Sequence, residues 1–214
     1  MQTNRGFDRG RLARVLVLSL VSVFFLLPAR QVQHERWPIK TSYGDATKNP
    51  KKISLDVLGK LPVPQGVTWK KYSDRLIPGT FGGYKEGDFV EMAAWLHLAA
   101  FSTDDSDYHL QVTGFRDKGD SCIIVEIPDP RNTASRTIKS HWQDARAFVE
   151  SLCGGMRPSE DGTVFKDAIY VKVTGQLFYD ASHKDPGSRG KGKMVARTSW
   201  EIHPVWTIAA MRYR

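Results

Sequence analysis

Two histidine–carboxylate pairs in this sequence have the types and spacing to do chemistry. Asp107 and His109 share one face of DYHLQVTGF, and Glu201 and His203 share one face of TSWEIHPVW, each pair at i, i+2. Glu126, in CIIVEIP, joins them. Asp107, His109, Glu126, Glu201 and His203 are the residue types that hold zinc, manganese or iron, or that serve as general acid and base. The set predicts a divalent transition metal as cofactor and a nuclease-like, metal-assisted hydrolysis as the reaction. That expectation requires two separate strands to meet, which spacing alone does not ensure. The same residues also have a purely structural reading. Polar positions alternating with apolar ones are what a half-exposed strand needs, and a cross-strand His–Glu bond can serve only to fix register.

A second cluster is basic. DASHKDPGSRGKGKMVARTS, from Asp180 to Ser199, carries His183, Lys184, Arg189, Lys191, Lys193 and Arg197. Its glycines let backbone N–H groups approach a ligand, and its cations attract phosphate or another polyanion with salt-sensitive affinity. The leading expectation is therefore a binding module for a polyanion, with nucleic acid first and an anionic envelope glycan second. Metal-assisted hydrolysis by the five-residue set is the alternative, and a scaffold for another envelope protein is the third reading. The loop has its own plain reading: a solvated hairpin, or cations paired with the acidic STDDSD (Ser102–Asp107). No Gly-x-Ser-x-Gly elbow, phosphate-binding Gly-x-x-x-x-Gly-Lys loop or His-Glu-x-x-His zinc helix is present.

The elements that must position these residues follow from periodicity. DFVEMAAWLHLAAF (Asp88–Phe101), DYHLQVTGF, CIIVEIP (Cys122–Pro128), AIYVKVTGQLFYD (Ala168–Asp180) and the stretch from Trp200 to about Met211 read as five strands. Between the third and fourth lies a helix with Trp142, Ala145, Phe148, Val149 and Leu152 on one stripe, a capping box at Ser140 and Gln143, and Gly154 as its stop. Three strands, a helix and two strands is the order of the OB-fold, so the predicted class is a mostly β, five-stranded OB-like barrel over residues 88–214. In that fold the strand one–two and four–five loops frame the ligand, and here they are the acidic and basic loops. Apolar faces turned inward leave Asp107, His109 and Glu126 pointing out.

Residues 30–87 are rich in Pro, Gly and Lys and read as an irregular lead-in, with one short helix near Leu55–Leu58. Before them, Arg5, Arg9, Arg11 and Arg14 precede the apolar run VLVLSLVSVFFLLPA. This is the layout of a signal peptide over residues 1–29, or an N-terminal anchor if uncleaved, and it predicts export to the periplasm or beyond. Membrane contact is expected only through that segment. The net charge of +8 sits partly in it. In an exported chain Cys122 and Cys153 read as one disulfide, with two buried thiols as the alternative.

Several strings together, ERWPIKT, DSDYHL, IIVEIPDP, VTGQLFYDASH and WEIHPV, resemble an uncharacterised family of exported bacterial proteins. The resemblance covers most of the chain after residue 30 in patches and implies kinship and export, with no activity attached. In topology alone the pattern is also similar to the staphylococcal-nuclease-like proteins, whose Arg and carboxylate catalytic set cannot be placed on these residues.

Overall fold

The computed structural model describes residues 36–43, 49–68, 70–117, 119–183 and 185–213. The predicted signal segment and Lys184 lie outside the described residues. Among the described residues no helix is long and apolar enough to cross a membrane.

The fold is mostly β: a seven-stranded sheet with one long helix. The strands are β1 (Lys51–Lys52), β2 (Phe89–Phe101), β3 (Tyr108–Thr113), β4 (Ser121–Ile127), β5 (Thr163–Tyr179), β6 (Val195–Ala196) and β7 (Trp200–Ala210). The helices are α1 (Trp37–Lys40), α2 (Leu55–Leu58) and α3 (Arg136–Leu152). Antiparallel pairing joins β2 to β3, β3 to β4, β7 to β5 and β5 to β2. One parallel contact, Val125 opposite Ile202, joins β4 to β7. The last strand thus lies between β4 and β5.

Alternation builds the core as expected on one face. Tyr108, Leu110 and Val112 of β3, Ile123 and Val125 of β4, and Trp200 and Ile202 of β7 are all buried in it, under Trp142, Ala145 and Val149 of α3. Ile53, Leu55, Leu58, Leu61, Val67 and Ile77, from the irregular stretch before β2, belong to the same core. The opposite face departs from expectation. It is not solvated: Gln111, Glu201 and His203 are fully buried, Asp107 is 1% exposed and Glu126 7%. The cause is a cover. The segment 180–199 folds back over this face, where the Gln111 amide exchanges hydrogen bonds with the Lys191 backbone (3.0 and 2.5 Å), and α1 adds a second flap.

Other expectations need correction. Helix α3 is capped by Ser135, whose hydroxyl accepts from the Ile138 N–H (3.3 Å), and not by Ser140, which lies a turn inside. The earlier start lets Ile138 pack against the core. His141 is stacked on Trp206 at 3.7 Å. The cysteines are both free. Cys122 packs with Leu98, Ala100, Ile124, Met194 and Ala196 beneath the returning segment, whereas Cys153 ends α3 against the main core, so the two thiols serve different layers. Burial pushes the Cys122 thiol up to about 12. His97 behaves as a satisfied core histidine, bonded to Thr113 Oγ1 at 2.9 Å.

Gly175 marks where β5 must pass β7 at an irregular register, between Thr174 and Leu177. A Cβ there would stand 2.5 Å from both Ile202 Cγ2 and the Pro204 carbonyl oxygen. Gly175→Ala is therefore expected to destabilise the fold by about 1–3 kcal/mol through overpacking, read as a lower urea midpoint with an unchanged m-value.

Candidate functional site

The register of the sheet decides which polar residues meet. His109 stands opposite Glu126 across β3 and β4. Because Val125 faces Ile202, Glu126 turns to the same side as the neighbours of Ile202, namely Glu201 and His203. Asp107 enters just before β3. Its Oδ1 accepts from the Asp129 N–H at 3.1 Å, which leaves Oδ2 free to face His203.

All five residues of the predicted histidine–carboxylate set come together. Glu126 Oε1 accepts from His109 Nδ1 at 3.0 Å, and Glu126 Oε2 lies 2.8 Å from His203 Nδ1. Glu201 Oε1 is 3.3 Å from the same nitrogen. On the other side of the imidazole ring, His203 Nε2 is 3.4 Å from Asp107 Oδ2. Four buried atoms here have no hydrogen-bond partner among the described residues: Asp107 Oδ2, His109 Nε2, Arg189 Nη1 and His203 Nε2. Asp107, Glu126 and His203 present ligand atoms all within 4.8 Å of one another.

Electrostatics follow from burial and neighbours. Burial, with Asp105 and Glu126 close by, pushes Asp107 up to about 8. Burial alone would lower His203, but hydrogen bonds to Glu126 and Glu201 outweigh it and raise the ring to about 9. Burial opposes ionisation of Glu126, yet the two histidine bonds hold it well below the usual carboxylate range.

The predicted basic loop contributes in a different way from that expected. Arg189 is not a free cation. It lies 2.9 Å from Glu201, 3.3 Å from Asp180 and 3.5 Å from Glu126. The tight return that brings it there uses Gly190 at φ 120°, where a Cβ would meet the Met194 carbonyl oxygen at 2.1 Å. His183 bonds Asp180 (2.7 Å), Lys191 Nζ donates to the Glu160 carbonyl (2.6 Å), and Arg197 lies 3.6 Å from Asp56, away from the centre. Lys193 is exposed. Arg189, His183 and Arg197 are matched to acids, though to Asp180, Glu201, Glu126 and Asp56 and not to STDDSD.

A cleft of about 960 Å³ opens between the acidic and basic loops. Among the described residues, Asp104, Asp105, Glu126, Glu160, Asp161 and Asp180 line it against Lys40, Arg189 and Lys191, with His109 and His183. Its balance is acidic, so it suits a cation better than a polyanion.

Two participants were missed. Lys40, brought in by α1, sits 3.9 Å from both Asp105 and Glu126; nothing in the spacing of ERWPIKT marks it. Asp180 was read only as a loop boundary, although its i, i+3 relation to His183 was a legible signal. Burial would raise Asp180, but the bond from His183 and the charges of Arg189 and Lys40 drive it far below its ordinary value. A depressed carboxylate contributes stability above its unfolded pKa of about 3.9 and loses it as pH falls toward the folded value. Asp180→Asn is thus expected to cost about 3 kcal/mol at pH 7, with the gap to the parent narrowing below about pH 4. Urea titrations at pH 7 and pH 3 measure both.

No protein-family model matches this chain, and no curated protein matches it. The geometry therefore carries the functional argument.

Proposed function

We propose that this chain is an exported hydrolase whose reaction centre is the histidine–carboxylate row at the floor of the acidic cleft. The scaffold we read as OB-like: five strands in the order β2–β3–β4–β7–β5, returning from β5 to β2, with α3 between the third and fourth in sequence. The two loops framing the cleft are those that frame ligands in that fold. Kinship with the exported bacterial family that the sequence strings resemble supports the location.

One observation carries the reading. His109, Glu126, His203 and Asp107 stand in a continuous row at 3.0, 2.8 and 3.4 Å, beginning at the cleft wall and ending in the interior. His109 is held through Nδ1 by Glu126, and its Nε2 has no hydrogen-bond partner among the described residues. An imidazole held in this way presents Nε2 as an acceptor for an attacking water, with the carboxylate fixing tautomer and orientation. A buried unpaired nitrogen beside a cleft is best explained by a group that arrives from the cleft.

Purified full-length chain should hydrolyse at least one of two chromogenic probes, bis(p-nitrophenyl) phosphate and p-nitrophenyl acetate. The rate should collapse in His109→Ala and persist in His141→Ala, which lies outside the centre. Equal rates in both variants, or none with either probe, would sink the reading. The polyanion-binding reading draws less support, because Arg189 and His183 are engaged by carboxylates. Salt-sensitive oligonucleotide binding lost on changing Lys191 and Lys193 would favour it instead.

A further inference from the structure

We infer that Asp107, Glu126 and His203 form a seat for one divalent transition metal, with Glu201 and His109 as outer supports. The inference deepens the hydrolase reading of the same centre but stands on its own geometry.

The first argument is the pair of orphaned atoms. Asp107 Oδ2 and His203 Nε2 are buried, face each other at 3.4 Å and have no hydrogen-bond partner among the described residues. Left as a protein-only contact, the pair is too long for a good hydrogen bond. It is, however, the separation of two ligand atoms on one ion with metal–ligand bonds of about 2.0–2.1 Å. Glu126 supplies a third ligand atom within the 4.8 Å grouping and is the member of the three that also lines the cleft.

The second argument is the far side of the imidazole. A metal-binding histidine almost always gives its other N–H to a carboxylate, which fixes the ring and raises its basicity. His203 Nδ1 has that support from Glu201, an acid outside the seat, at 3.3 Å. Glu201 is in turn fixed by Arg189 at 2.9 Å, and Glu126 by His109 at 3.0 Å. The second layer of the site is built.

The third is charge. Arg189 stands against Glu201 and Asp180, and Lys40 against Asp105 and Glu126. Asp107 has no Lys or Arg within ion-pair distance among the described residues, so the buried set keeps room for added positive charge. One nitrogen and two carboxylate donors suit zinc, manganese or ferrous iron. Calcium asks for six to eight oxygens and does not fit.

The test uses the full chain, purified in detergent without a chelating tag. Metal content by mass spectrometry is expected near one transition ion per chain. After removal with a chelator, Zn²⁺ and Co²⁺ should rebind, the cobalt form giving a visible absorption band. Affinity should fall at least 10–100-fold in Asp107→Asn, a variant that can keep the Oδ1 bond to the Asp129 N–H. His203→Gln should fall similarly, and His141→Ala should bind as the parent does. A folded parent that neither carries nor binds a transition metal overturns the inference, as does unchanged affinity in a folded Asp107→Asn. Stoichiometric metal without hydrolysis of either probe supports the site and overturns the hydrolase reading alone. Hydrolysis by a folded parent that neither carries nor rebinds a transition metal supports the hydrolase reading and overturns the site alone.

Discussion

Turnover is expected to fall about 10²–10⁴-fold in His109→Ala, the range for removal of a positioned acid–base side chain. His109 is suited to produce an effect on rate rather than on folding. It lies at the cleft wall, 14% of its side chain is exposed, and among the described residues its one side-chain hydrogen bond is to Glu126. Removing it leaves Glu126 bonded to His203 and close to Lys40, so the buried carboxylate keeps partners. The urea midpoint should move by less than about 1 kcal/mol equivalent, in line with loss of one ordinary hydrogen bond. A kcat loss with KM little changed would place His109 in the reacting layer. A parallel loss of stability and rate would make it a structural residue.

Arg36→Ala is expected to destabilise the fold by about 3–5 kcal/mol, as removal of one partner of a buried ion pair does. The guanidinium has five N–H donors, and the protein uses all of them. Nη1 and Nη2 grip Glu86 at 2.5 and 2.7 Å, and the Tyr179, Tyr72 and Arg75 carbonyls accept at 2.8, 3.0 and 3.2 Å. Glu86 also accepts from the Ile77 and Tyr179 N–H groups, at 2.6 and 3.0 Å. Alanine would strand a buried carboxylate and three carbonyls at once. Arg36→Lys keeps the charge but loses the planar fork, so it should fall between the two. In a Glu86→Gln background the Arg36→Ala cost should shrink, and a double-mutant cycle reads the difference as coupling. A full cost in both backgrounds would show that Arg36 acts through its carbonyl contacts alone.

Much of the centre was legible in the sequence because strand periodicity is local. The alternation in DYHLQVTGF and WEIHPV places His109 with Asp107 and His203 with Glu201 on shared faces, and those faces are the ones observed. What periodicity cannot supply is which strands lie side by side. The single Val125–Ile202 contact joins the pairs, and no local signal encodes it. Burial of the polar face was misread for a related reason. A polar residue on an alternating strand looks solvated unless a distant segment covers it, and the cover comes from residues 180–199 and from α1. The cations of that segment looked free because their partners, Asp180, Glu201 and Glu126, are brought to them only by the return of the chain. Cys122 and Cys153 illustrate the limit of counting: two cysteines in a chain read as exported invite a bridge, but they belong to opposite layers of the sheet.

The position of β7 has a consequence for how the molecule comes into being. Lys40, Asp107, Glu126, Asp180, Arg189 and His203 lie far apart in the sequence, and the strand carrying His203 is synthesised after the six strands that precede it. Contacts so far apart in sequence close large loops before they return any stabilisation, which slows folding. A nascent chain ending before Trp200 lacks both Glu201 and His203, so nothing yet bridges Glu126 to Asp107. The centre is a late product of folding, and its appearance reports that the C-terminal strand has docked.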